Sequence, residues 1–176
     1  MKHIIAFGGS NSRNSINKKL AVLAAHNLKN TSFTILDLNE FKIPLYSIDH
    51  ENNKGIPEDV SKFNALIFAA DGIILSLAEH NGSYTAAFKT LLDWLSRIDK
   101  NVWKNKPMLL MSTSPGGRGG ATVFDTASNM LPRLGAEIVG RFSLPFFPKN
   151  YSEDKLLDQE LRQDFLNEIE RFERSL

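Results

Sequence analysis

At 176 residues, 42% hydrophobic and 23% charged, the chain has the make-up of a soluble globular protein able to bury a core without cross-links, and it reads as one domain over residues 1–176. Its 21 Lys and Arg against 20 Asp and Glu leave a net charge of +1, which excludes a global field for nucleic acid or an anionic membrane. The absence of cysteine excludes disulfides, thiolate metal sites, Cys nucleophiles and dithiol exchange, so redox work would need a bound cofactor.

The first strand is expected over His3 to Gly8. Its apolar run, Ile4-Ile5-Ala6-Phe7, gives way to Gly8-Gly9 and is too short for a signal-peptide core, so the expected location is cytoplasmic. The loop that follows, Gly9-Ser10-Asn11-Ser12-Arg13-Asn14-Ser15, puts small, hydroxyl and amide side chains just before a helix. Free N–H groups and the positive dipole end at such a place favour a phosphate, with Arg13 at the rim. The alternative is that Ser15 simply caps the helix and the rest is turn chemistry. Neither a Gly-Lys-Ser/Thr ending nor a G-x-G-x-x-G pattern is present, which argues against an ATPase and a Rossmann dehydrogenase.

Ile16, Leu20, Leu23, Ala24 and Leu28 recur at helical spacing, and Ser32 to Leu38 reads as the second strand. The segment Phe41 to Gly55, with Pro44, Asn52, Asn53 and Gly55, is expected to be a loop, and Pro57-Glu58-Asp59 to open the second helix. The third strand is expected over Gly72 to Leu77. Beyond it, Ala78-Glu79-His80-Asn81-Gly82-Ser83-Tyr84 precedes an apolar stripe of Phe88, Leu91, Leu92, Leu95 and Ile98. The fourth strand, Pro107 to Ser112, runs into Ser112-Thr113-Ser114-Pro115-Gly116-Gly117-Arg118-Gly119-Gly120. That chain exposes successive N–H groups and admits a flat ring close to the backbone, whereas a single RGG-like copy without interleaved aromatics is a weak RNA signal. Val123, Ala127, Met130, Leu131 and Leu134 form a fourth stripe before the fifth strand, Ala136 to Phe142. Leu157, Leu161, Phe165, Ile169, Phe172 and Leu176 form the last, on a helix whose first turn is expected to carry Glu153 and Asp154. Phe146 and Phe147 are either core closure or a subunit contact, and Trp94 and Trp103 are expected to pack.

Strict alternation of strands and helices implies an α/β fold with a parallel sheet. It fits a flavodoxin-like three-layer sandwich with five strands in the order 2-1-3-4-5, whose site lies beyond the carboxyl ends of the strands. The four histidines lack metal-ligand spacing, and no metal is expected.

Taken together, the three loops resemble those of the NADPH-dependent FMN reductase family, over roughly residues 3 to 140. The first is similar to G-S-x-R/S-x-x-S-x-N, the second to P-E-Y-N-G-S followed by an L-D-W helix (Leu92-Asp93-Trp94 here), and the third to S-P-G-G-x-G-G. The resemblance implies an FMN site in which Ser10, Ser12, Arg13, Ser15, Ile16 and Asn17 hold the phosphate. By the same carry-over, Ala78, Glu79, His80, Asn81, Gly82 and Ser83 face the ring and its edge, and Ser114, Pro115, Gly116, Gly117, Arg118 and Gly119 line its pyrimidine side. Two positions depart: Ala78 stands where Pro is usual, and His80 takes the place of the stacking Tyr with a smaller, titratable ring. The implied activity is ping-pong transfer from NAD(P)H through FMN to a small-molecule quinone, azo or flavin acceptor. No catalytic side chain is required, and a homodimer or homotetramer is implied. A non-catalytic electron carrier and a flavin-binding interaction module are the alternatives.

Overall fold

In the computed structural model, which describes residues 1–176, five strands pair in parallel: β1 (Lys2–Gly9), β2 (Thr31–Leu36), β3 (Gly72–Leu77), β4 (Lys106–Thr113) and β5 (Ala136–Leu144). Their order is β2-β1-β3-β4-β5, the flavodoxin-like order the alternation implied. Because successive residues of a strand face opposite ways, the apolar runs supply two cores at once. Ile5, Phe7, Ile73, Leu75, Met108 and Leu110 face one side, and Ile4, Ala6, Ile74, Leu109 and Met111 the other.

Helices α1 (Ile16–His26) and α7 (Gln159–Arg174) cover the second face. The first is covered by α3 (Glu58–Ala69), α4 (Ala86–Ile98) and α5 (Ala121–Met130), the last running into a 3₁₀ turn at Leu131–Leu134. Two short helices, α2 (Ile48–Lys54) and α6 (Phe147–Asn150), complete the set. Trp94 and Trp103 are fully buried, and the Trp94 indole N–H donates to the Pro44 carbonyl at 2.7 Å.

Three expectations are corrected. The segment from Phe41 to Gly55 is not all loop. Ser47 caps α2 by accepting the His50 N–H at 3.1 Å, acids occupy its first turn, and Gly55 ends it at φ 72°. This helix buries no side chain, so it leaves no apolar stripe to read. The second strand stops at Leu36 rather than Leu38, because the Asp37 carboxylate accepts the Asn39 N–H at 2.9 Å and starts a 3₁₀ turn. The last helix begins at Gln159, capped by Asp158, and not at Glu153. Glu153 and Asp154, at φ 48° and 55°, form the turn of a hairpin joining Tyr151–Ser152 to Lys155–Leu156. There the Tyr151 hydroxyl donates to Asp154 at 2.7 Å.

Candidate active site

The loops after β1, β3 and β4 meet beyond the carboxyl ends of the strands, where open parallel sheets place their ligands. The first loop is folded by its own hydroxyls. Ser10 Oγ accepts the Ser12 N–H at 3.1 Å, and Ser15 Oγ accepts the Lys18 N–H at 3.1 Å as the cap of α1. The amides of Arg13, Asn14, Ile16 and Asn17 donate to no group of the protein, which leaves a row of N–H groups at a helix N-terminus for an anion. Ser15 thus caps the helix, and the groups this loop leaves free for an anion are those of its backbone.

Asn17 sits on the buried face of α1 beside Leu20 and Ala21 and is 1% exposed. Its Oδ1 accepts from the Ser76 hydroxyl at 2.7 Å and the Thr113 N–H at 3.0 Å, while Nδ2 donates to the Thr113 carbonyl at 3.1 Å. With both acceptor positions and one amide hydrogen engaged, Asn17 is a bracket clamping α1 to β3 and β4 directly under the loops.

The second loop is a two-residue hairpin, Glu79–His80 against Ser83–Tyr84, with Asn81 at φ 52° and Gly82 at φ 75°. Two consecutive positive φ angles at Asn-Gly are the requirement of the I′ turn, which matches strand twist. Asn81 and Gly82 therefore serve the turn, and His80 stands exposed beside the cavity. Tyr84 packs on Phe88 with ring centroids 5.3 Å apart, and burial pushes its unpartnered hydroxyl up to about 12. Thr85, next in the chain, donates to the Gly9 carbonyl at 2.8 Å and caps α4 by accepting the Phe88 N–H, tying this loop to the first.

The glycine-rich loop is held from below and from the side. The Gly119 carbonyl accepts from Ser112 at 2.7 Å and Ser143 at 3.1 Å, and the Phe146 and Phe147 N–H groups donate to Gly116 and Ser114 at 2.9 and 3.0 Å. Phe146 adopts φ 48° and lays its half-exposed ring over Gly117, where a Cβ would come 2.6 Å from the ring. Phe147 is buried, so these neighbours divide into one rim residue and one core residue. The Arg118 guanidinium donates to the Thr122 hydroxyl at 2.7 Å.

Between the loops lies a slot of about 260 Å³, bordered by Ser10, Ser12, Asn14, Ser15, Ile16, Asn17, Ala78, Glu79, His80, Thr113, Ser114 and Pro115. That is slightly below the roughly 300–1,000 Å³ of cavities that enclose a small ligand, so the slot grips part of a ligand and leaves the rest uncovered. Asn14 and Thr113 border it without having been singled out in the sequence. Arg13, Asn81, Gly82, Ser83, Gly116, Gly117, Arg118 and Gly119 lie in the same loops but outside its wall. A larger cavity of about 390 Å³ lies among Lys2, Lys29, Thr31, Glu173 and Arg174, at the amino ends of the strands, where no such row of loop amides converges. The slot fits a phosphate-bearing planar cofactor: free amides for the phosphate, hydroxyls around it, and two loops to flank a ring.

A family model for NADPH-dependent FMN reductases matches residues 2–149. The chain is 37% identical over 79 residues to a quinone reductase of Escherichia coli (strain K12), a match covering 45% of this chain and 42% of that protein. It is 33% identical over 121 residues to a probable NADPH:quinone oxidoreductase 2 of Oryza sativa subsp. japonica, covering 67% and 58%. The chain thus spans less than two thirds of the length of these relatives. Among solved structures it is similar to FerB, a flavoenzyme NAD(P)H:(acceptor) oxidoreductase of Paracoccus denitrificans, with TM-score 0.75, 24% identity and 99% of each chain covered. Oxidised flavodoxin 1 of Bacillus cereus gives TM-score 0.62 at 16% identity, covering 100% and 99%. At these identities the two structures bear on the fold alone.

Proposed function

Because the chain belongs to the NADPH-dependent FMN reductase family, we propose that it is an FMN-dependent NAD(P)H oxidoreductase that reduces a small quinone, azo or flavin acceptor. The observation that carries this reading is the row of unpaired amides at Arg13, Asn14, Ile16 and Asn17, at the head of a slot whose other two walls are a hairpin and the start of the glycine-rich loop. When bound, FMN supplies the chemistry, taking a hydride from NAD(P)H and later giving up electrons to the acceptor in a ping-pong cycle.

The chain's own part is to bind and orient. The first loop takes the phosphate, with Ser10 and Ser12 beside it. Ala78, Glu79 and His80 flank one side of the ring, and Ser114 and Pro115 the other. Asn81 to Ser83 and Gly116 to Gly119 continue these walls outward along the uncovered part. Asn17 and Thr85 fix the three loops to one another from beneath. The partly open slot leaves room for nicotinamide and acceptor to use the same face in turn.

The whole chain, 1–176, is assigned to this one function, since both cores share the same sheet. No helix is long and apolar enough to cross a membrane, and the reading places the protein in the cytoplasm with its nicotinamide donor. A homodimer or homotetramer belongs to the same proposal, supported by the exposed Leu45 (78%), which borders the same cavity as Ala86, Ala87 and Thr90 of α4, and by the exposed Ile48 (52%). Sedimentation equilibrium against the 19.7 kDa chain mass checks it.

The direct test is the visible spectrum of the purified protein, with FMN and riboflavin titrated into the stripped form. Flavin absorbance and much tighter binding of FMN than riboflavin are expected. A colourless protein that takes up neither would overturn the assignment.

A further inference from the structure

The helix that follows the glycine-rich loop cannot cap itself. Its N-cap position is Gly120, at φ 80°, and a Cβ there would come 3.2 Å from the Cβ of Ser112. A Ser, Asp or Asn at this place would be strained twice over, by the left-handed backbone and by the strand beneath. Helices α1, α2, α4 and α7 are capped by Ser15, Ser47, Thr85 and Asp158 from their own chain starts. In α5 the N3 amide, that of Val123, instead donates to the carboxylate of Glu79 at 3.0 Å. The cap comes from another wall of the site, 44 residues back in the chain.

Glu79 is well placed to act as a fixed point. It lies in the hairpin held by the Asn81-Gly82 turn and pairs with Tyr84, which is itself packed on Phe88. Its one partner on the other side is the first turn of α5, directly after Gly119 and Gly120. The hydrogen bond therefore joins the hairpin wall of the slot to the helix that ends the glycine-rich loop, two parts with no covalent reason to keep their spacing. Glu79 is also the sole carboxylate bordering the slot, and no lysine or arginine borders it. A free carboxylate there would repel a phosphate-bearing ligand. Engaged with a helix N-terminus, its charge is turned to the positive end of the α5 dipole.

We infer that Glu79 is a positioning residue: it caps α5 in place of Gly120 and so sets the distance between the hairpin wall and the glycine-rich wall. This rests on the proposed FMN reading and adds a role for one side chain within it. Two ideas about Glu79 now predict opposite signs. If it were only a negative group near a phosphate, removing it would tighten FMN. If it is the cap, removing its acceptor oxygen loosens FMN even though a repulsive charge has gone.

The experiment compares Glu79→Ala and Glu79→Gln in the full-length protein, measuring FMN affinity and, in the apoprotein, hydrogen exchange at the Val123 amide by NMR. Gln keeps an acceptor oxygen and discards the charge. The expected result is that Glu79→Ala raises the FMN dissociation constant about ten-fold or more and unprotects Val123, whereas Glu79→Gln stays within about three-fold of the parent and keeps the amide protected. Equal or tighter FMN binding by Glu79→Ala would overturn the inference, as would Gln binding as weakly as Ala, or an amide still protected in Glu79→Ala. A parent protein that binds no FMN would sink the functional proposal alone, and the exchange comparison, made without flavin, would still decide the cap.

Discussion

Two polar residues at the start of the chain, Ser10 of the first loop and Asn17 in the first turn of α1, divide the work between holding a ligand and holding the fold. Asn17 makes three buried hydrogen bonds to Ser76 and Thr113, so Asn17→Ala strands a hydroxyl, an N–H and a carbonyl in the interior. A loss of about 2–4 kcal/mol is expected in urea unfolding of the apoprotein, because each orphaned buried group retains its desolvation cost. Ser10→Ala, in contrast, should leave stability within about 1 kcal/mol and weaken FMN more than riboflavin, which lacks the phosphate. Equal losses for both flavins would remove Ser10 from the phosphate site. The burial of Asn17 was legible in principle: it stands on the same helical face as Leu20, Ala21 and Ala24, and a polar residue on an apolar face needs partners. The partners were not legible, since they come from strands 59 and 96 residues on. Asp37 carries a pH prediction. Burial opposes its ionisation, but the Lys18 ammonium and the N–H and side chain of Asn39 outweigh that and hold its carboxyl below the ordinary 3.8. A carboxyl depressed in the folded state stabilises fully above its unfolded value and loses that contribution as pH falls through the folded one. Asp37→Asn can still cap the 3₁₀ turn. Its deficit relative to the parent protein should therefore be present at pH 6 and shrink below about pH 4, as read from melting temperatures across that range.

Between elements, one tight backbone approach under the site is that of Gly8 of β1 to the first turn of α1. A Cβ on Gly8 would come 2.5 Å from the Lys18 nitrogen and 2.9 Å from its Cα, both backbone atoms that cannot swing aside. Gly8→Ala is expected to push α1 off the sheet, with a loss of about 1–3 kcal/mol or more and a matching loss of FMN affinity, because the row of free amides moves with the helix. Gly116, where a Cβ meets nothing within 4 Å, is the control, and Gly116→Ala should unfold within about 0.5 kcal/mol of the parent. Comparable destabilisation of the two variants would show that the β1–α1 contact is not the tight one. The same scale explains what could be read in advance. Strands and long helices announced themselves because each buries a stripe. Helix α2 buries nothing and was hidden, although Ser47, the acids after it and Gly55 spelled out its ends. The hairpin at Glu79 to Tyr84 was present as Asn-Gly. The capping of α5 by Glu79 was not, because nothing local marks a cap that arrives from a distant loop.

Across the whole molecule, the two cores on opposite faces of one sheet leave the strand ends as the place where loops can depart from packing rules, and the unpaired amides are found there. Fold alone does not separate an enzyme from a carrier, since the likeness to flavodoxin 1 spans the entire chain. Net charge and access support the proposed enzyme. A carrier that docks on protein partners uses a strongly charged face, whereas this chain is nearly neutral at +1 and its slot is partly open, as a small donor and a small acceptor taking turns would require. The expected outcome of anaerobic mixing is that about one equivalent of NADH or NADPH bleaches the bound flavin rapidly, and that a quinone then restores the colour without further protein. Comparing the two nicotinamides in that experiment also gives the donor preference, which Arg13 and Arg118, both exposed, do not decide by position. If neither nicotinamide bleaches a flavin that is demonstrably bound, while a chemical reductant does, the donor half of the cycle is missing and the protein is a carrier. If bleaching is fast but quinone, azo dye and free flavin all fail to restore the colour, the nicotinamide half stands and the acceptor class must be sought elsewhere.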